Sequence, residues 1–251
     1  MTGYPSLIVP VGHVQPCPRR IRGVFAGRTI FDTGNARYVW ERPHYPQYYI
    51  PLADVATELL RSEHAERRLP TGSAAQHGLR VEDREQPGSV AVFGADAGAL
   101  ADLVRFDWAA LDAWYEEDEQ IFVHPRCPYS RVDAIRSTRS VRVELEGVLL
   151  AESSSPVLVF ETGLPTRYYL NRTEVDFSRL VASTTETACP YKGTTSGYWS
   201  ARLDGRLHPD VAWCYDFPSW QLLPIAGLIC FYNEKVDLTV DGERQPRPEL
   251  S

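Results

Sequence analysis

Residues 22–60 recur without a gap, at a single offset of 120, as residues 142–180. Arg22, Gly27, Val39, Glu41, Tyr48, Tyr49, Val55 and Leu60 are identical to Arg142, Gly147, Val159, Glu161, Tyr168, Tyr169, Val175 and Leu180. Eight identities in 39 positions stand against roughly two expected by chance at ordinary residue frequencies. Replaced positions keep their chemistry, as in Ile30/Leu150, Asp32/Glu152, Trp40/Phe160 and Asp54/Glu174. One ancestral domain is therefore written twice, and the two copies are constrained to one topology.

At 251 residues the chain has room for two domains of about 100–130 residues, each with its own core. The reading is an N-terminal repeat domain over 1–123, an ordered connector over 124–140 and a C-terminal repeat domain over 141–251. The connector HPRCPYSRVDAIRSTRS carries four arginines, two prolines and no glycine, a composition unlike a flexible linker. Its arginines, Arg126, Arg131, Arg136 and Arg139, read most simply as an inter-domain ion-pair network, with reception of an acidic ligand as the alternative. A net charge of −7 argues against a nucleic-acid or anionic-membrane binder, whose affinity comes from clustered basic residues. The longest apolar stretch, Leu222 to Tyr232, contains Pro224 and Gly227 and is too short to span a bilayer. The N-terminus lacks the pattern of a secretory signal. The five cysteines, at 17, 127, 189, 214 and 230, include no C-x-x-C pair, so neither a disulfide framework nor a zinc knuckle is indicated. The expectation is a cytoplasmic protein without metal or cofactor.

The second copy reads as antiparallel β. Residues 142–146 alternate polar and apolar with period two, Glu146-Gly147 supplies a tight turn, and Val148–Ala151 returns. A buried strand is expected at Val157–Phe160 and another at Arg167–Leu170, with further strands at Gly197–Arg202, Val211–Tyr215, Gly227–Tyr232 and Val236–Val240. The first copy repeats the plan at Gly23–Ala26, Arg28–Phe31 and Tyr38–Trp40. Helices are expected only at Leu52–Arg61 and Phe106–Glu117, the latter from the spacing of Trp108, Leu111 and Tyr115. The fold class is thus mainly β: two homologous small barrel- or sandwich-like domains with few short helices.

The strings GVLLAESSSPVLVFETGLPTRYYL, CPYKGTTSGYW, AWCYDFP, IAGLICFYNEKVDL and HPRCPYSRVD resemble the tandem form of the family called domain of unknown function 427, common in actinobacteria and fungi. The resemblance covers residues 20–245 and implies small, mainly β domains with a barrel-like or sandwich core. The nucleotidyltransferase label sometimes attached to that family does not extend to these residues. The Gly-Ser followed by paired aspartates that would hold catalytic Mg²⁺ is absent, and Lys192-Gly193-Thr194 lacks the order and the glycine loop of a phosphate-binding motif. Cys127 stands where the family's connector more usually has aspartate.

Among chemistry-bearing residues, Glu161 ends an apolar strand and has its twin in Glu41. A carboxylate there needs a partner, such as Arg142 or Arg167, or becomes a usable acid or base. Adjacent Tyr168 and Tyr169 face opposite sides of their strand. Cys189-Pro-Tyr-Lys192-Gly is the most distinctive string. Of 26 basic residues only Lys192 and Lys235 are lysines; such a skew commonly reflects codon usage, yet a lysine that persists against it suits a task arginine cannot perform. The first copy has Leu69 and Gly72 at the positions of Cys189 and Lys192. The site reading is Glu161 and Lys192 as catalytic groups and Arg167, Tyr168, Tyr169, Tyr215 and Tyr232 as substrate contacts. The corresponding function is a metal-independent enzyme acting on a small polar or anionic metabolite, in a pocket of the C-terminal repeat or at the domain interface. A non-catalytic ligand-binding or protein-interaction module is the alternative.

Overall fold

The offset of 120 carries through to the backbone. In the computed structural model, which describes residues 4–5 and 8–248, strands Ile21–Phe25, Arg28–Thr33, Arg37–Val39 and Gln47–Pro51 are matched by Val141–Leu145, Val148–Ser153, Val157–Glu161 and Arg167–Leu170. Both opening hairpins turn through a residue pair with positive φ: Ala26 and Gly27 at 48° and 72°, Glu146 and Gly147 at 51° and 79°. Two consecutive positive φ values match the right-handed twist of the flanking strands, which is why a glycine persists there in both copies. A Cβ on Gly147 would meet nothing within 4 Å, so Gly147→Ala costs only backbone strain. We expect a loss of about 1–2 kcal/mol in urea unfolding, with the fold retained.

Two main antiparallel sheets build each unit, and the second unit adds a two-stranded ribbon of Ala188–Cys189 and Gly193–Thr194. In the first unit the larger sheet runs, in spatial order, Val14–Pro16, Arg37–Val39, Gln47–Pro51, Leu103–Phe106, Arg84–Val92, Gly72–Val81, Leu60–Leu69. In the second it runs Val132–Arg136, Val157–Glu161, Arg167–Leu170, Ile229–Phe231, Arg206–Cys214, Gly197–Leu203, Leu180–Ser183. These orders are identical strand for strand. The four-stranded sheets also correspond: Glu119–Ile121, Ala113–Glu116, Ile21–Phe25, Arg28–Thr33 in one, and Glu243–Arg244, Asp237–Val240, Val141–Leu145, Val148–Ser153 in the other. The expected mainly β class is observed; no sheet of the described residues closes into a barrel.

The compact units are Ile8–Pro128 and a second that starts at Tyr129 and takes in Tyr4. Within the segment read as a connector, Val132–Arg136 is the edge strand of the second unit's larger sheet. Three of its four arginines are seen in ion pairs: Arg126 with Glu119, Arg131 with Asp133, Arg139 with Asp241.

Neither expected helix forms. Leu52–Arg61 becomes the single turns Leu52–Asp54 and Thr57–Leu59, with Val55 bridging to Phe31 between them, and then enters strand Leu60–Leu69. Phe106–Glu117 is divided among a strand end, the turn Trp108–Ala110 and strand Ala113–Glu116. The Asp112 N–H donates to the Val24 carbonyl, so the backbone there is committed to the sheet. The helical spacing of Trp108, Leu111 and Tyr115 is divided among the turn, the bend after it and the strand.

Period-two alternation divides the second unit's side chains between two cores. Leu158, Tyr168, Leu170, Ala212, Cys214 and Ile229 join Val141, Val143 and Leu238 in the core between the sheets. Val157, Val159, Tyr169, Trp213, Tyr215 and Cys230 gather on the opposite face of the larger sheet, with Leu222 and Ile225 of the 3-10 segment Trp220–Ile225 over them.

Candidate functional site

The distinctive CPYKG string is a hairpin tip. Cys189 pairs with Gly193, leaving Pro190, Tyr191 and Lys192 as a three-residue loop, and Gly193 closes it at φ 93°, the left-handed residue such loops use. Ser219 pins the loop from the neighbouring segment: its N–H donates to the Lys192 carbonyl (3.1 Å) and its hydroxyl to the Tyr191 carbonyl (2.5 Å). The tip side chain turns inward, and the Lys192 ammonium donates to Glu161 Oε2 at the end of strand Val157–Glu161. Both residues are only 8% exposed. Cys189 Sγ lies 3.9 Å from Lys192 Nζ.

Burial alone would lower the Lys192 pKa; the Glu161 carboxylate outweighs it and holds the ammonium above its ordinary value. Lys192 at rest is therefore a cation and not a free amine. Burial pushes the phenols of Tyr169, Tyr215 and Tyr232 up, which keeps them neutral. It also pushes the Cys230 thiol up to about 12, removing it as a nucleophile at neutral pH.

Arg167 points to the same face but does not pair with Glu161. Its two terminal nitrogens donate to Glu234 at 2.7 Å each, and its guanidinium lies over the Trp213 and Tyr232 rings at 5.6 and 5.7 Å. Arg142 pairs with Glu144 and Glu152 in the smaller sheet. The two partners anticipated for Glu161 are thus both engaged elsewhere, because a loop 31 residues downstream delivers the cation. The Tyr232 hydroxyl bonds Tyr198, which bonds Thr187, each at 2.9 Å.

Comparison of the copies shows what is particular to the second. In the first, Glu41 is paired by Arg105, which stands beside Tyr49 in the sheet register, and the Tyr49 hydroxyl donates to Glu41 at 3.0 Å. In the second, the position beside Tyr169 is Cys230. No arginine stands at that place in the sheet, Lys192 supplies the cation from a loop, and among the described residues the buried Tyr169 hydroxyl has no hydrogen-bond partner, with the Tyr169 and Trp213 rings packed edge to face.

Six of the seven anticipated site residues therefore share one face: Glu161, Arg167, Tyr169, Lys192, Tyr215 and Tyr232. Tyr168 is on the other, in the inter-sheet core. Trp213, Tyr198, Cys230 and Glu234 also build the site. The alternation of Trp213 with Tyr215 carried a signal for the first. Nothing in sequence links Glu234 to Arg167 across 67 positions. Among the described residues no three His, Cys, Asp or Glu side chains converge as a metal-binding set, and no helix is long and apolar enough to cross a membrane.

A family model described as "Domain of unknown function (DUF427)" matches residues 13–117 and again 133–242. No curated protein matches the chain at a significant level.

Proposed function

Since the chain belongs, in two tandem copies, to this family of domains of unknown function, we propose that its second unit is a metal-independent acid–base enzyme for a small polar or anionic metabolite, working at the Lys192–Glu161 pair. The observation that carries the reading is the exchange of cations between the copies. The fold can neutralise this glutamate from within its own sheet, as Arg105 does for Glu41, yet the second copy has Cys230 there and a loop-borne lysine instead. In this reading Lys192 binds and polarises an anionic or carbonyl oxygen as a compact ammonium. Glu161, freed as the substrate engages Lys192, takes up a proton. Arg167, Tyr215 and Tyr232 orient the ligand, and the aromatic surroundings limit water, which strengthens each electrostatic contact. The negative net charge supports a small ligand over nucleic acid or membrane. The odd number and spacing of the five cysteines support a reducing, cytoplasmic setting.

Lys192→Arg tests this directly. Arginine keeps the charge but is planar, bulkier and not deprotonated at useful pH. Metabolites retained from a cell extract by the wild-type chain, identified by mass spectrometry, are expected to be lost from the variant while its near-ultraviolet circular dichroism shows it still folded. Equal retention by both chains would remove Lys192 from the site. A non-catalytic binding role is the second reading, favoured by how completely Lys192 and Glu161 satisfy each other at rest. It is distinguished by recovering the retained metabolites chemically unaltered after incubation.

A further inference from the structure

On the opposite side of the sheet, the second unit has a cleft of about 580 Å³ whose walls include Tyr4, Ile135, Arg136, Arg139, Phe160 and Tyr168. Its size is that of a site for one small organic molecule. The first copy shows what this architecture does with the corresponding groups. There Glu116, only 4% exposed, accepts from the Tyr48 hydroxyl and from Arg19 Nη1. The offset of 120 equates Tyr48 with Tyr168 and Arg19 with Arg139. Glu116 faces Ile21 in its sheet, and the twin of Ile21, Val141, faces Val240. The second copy thus has the tyrosine and the arginine but not the carboxylate that joins them in the first.

What remains is a set of donors lacking that acceptor. The Tyr168 hydroxyl makes no hydrogen bond and Arg136 no ion pair among the described residues. The Arg139 guanidinium has Asp241 at 3.6 Å from Nε. The other nearby carboxylate, Asp133, is engaged by the Tyr4 hydroxyl at 2.5 Å and by Arg131 at 2.8 Å. The apolar wall has changed too. The fully buried Tyr38 and Trp40 of the first copy are replaced by the smaller Leu158 and Phe160, and the Tyr4 ring packs on Phe160 with centroids 6.0 Å apart.

We propose that this cleft binds a small aromatic carboxylate, its carboxylate taking the place that Glu116 holds in the first copy, between Tyr168 and Arg139, and its ring lying against Phe160 and Leu158. Arg136 adds a second cation to the rim. The site is independent of Lys192 and Glu161, which occupy the other face of the sheet.

The test uses the full chain and 2-naphthoate, followed by its fluorescence. Wild type should bind one equivalent, and 2-naphthamide, which keeps the ring and lacks the charge, should bind at least about tenfold more weakly, since charge-assisted hydrogen bonds dominate such recognition. Val240→Glu returns the missing carboxylate and should weaken 2-naphthoate binding by a similar factor through self-occupancy. Should that variant not fold, as judged by near-ultraviolet circular dichroism, Arg139→Gln combined with Tyr168→Phe decides the question, and the same loss is expected. Absence of saturable 2-naphthoate binding at millimolar concentration, equal affinity for the amide, or undiminished binding by the Arg139→Gln/Tyr168→Phe variant overturns the proposal.

Discussion

Glu161→Ala should destabilise the second unit by about 3–5 kcal/mol, because it leaves the Lys192 ammonium buried without its counter-charge. The pair's worth is in mutual neutralisation: taking two charges out of water costs about as much as their attraction returns, so removing one partner is far worse than removing both. Combining Glu161→Leu with Lys192→Met should therefore recover most of the lost stability in urea unfolding. Failure of the double replacement to do so would mean that the two groups do not face each other in solution. The alkaline behaviour follows from the raised pKa of Lys192. A group whose pKa is higher folded than unfolded contributes stability fully below its unfolded value, here about 10.5, and loses it as pH rises through the folded value. The stability gap between wild type and the double variant should accordingly shift against wild type as pH rises above that value.

Arg167→Ala should cost about 3 kcal/mol, the second-largest effect of a single change. It removes a forked, largely buried ion pair with Glu234 and a cation lying over two aromatic rings. Arg167→Lys should restore only part of this, since an ammonium cannot donate along two parallel bonds to one carboxylate. Burial alone would raise the Glu234 pKa; the hydrogen bonds from Arg167 overcome that and hold it below its ordinary value of 4.5. A depressed carboxylate stabilises the fold above its unfolded pKa and loses that contribution as pH falls through the folded one. The difference between wild type and Arg167→Ala should thus be largest near neutrality and narrow below about pH 4.5. A difference independent of pH would assign the loss to packing alone.

The lines of descent within this chain were legible from one-dimensional text. A 39-residue repeat determined that two domains share one topology. Glycines in both hairpin turns and strict alternation in 142–146 determined where the first strands run, because a strand with one buried face leaves period two in its sequence. The same alternation placed Tyr168 and Tyr169 on opposite faces, and the chemistry of CPYKG marked Lys192 as unusual. Tertiary structure alone decided the pairings. Lys192 reaches Glu161 from a hairpin loop and Glu234 reaches Arg167 from a turn, while sheet order sets Cys230 where the first copy has Arg105. No local pattern records any of these meetings. It likewise decided against the helices at Leu52–Arg61 and Phe106–Glu117, since backbone groups already bonded across a sheet cannot also close helical turns. That Tyr168 and Arg139 are without the carboxylate of the first copy became visible only when the register made Val240 the equivalent of Glu116. A repeat reveals shared ancestry in sequence, but how the two copies differ in their pairings is read only from the side chains the fold brings together.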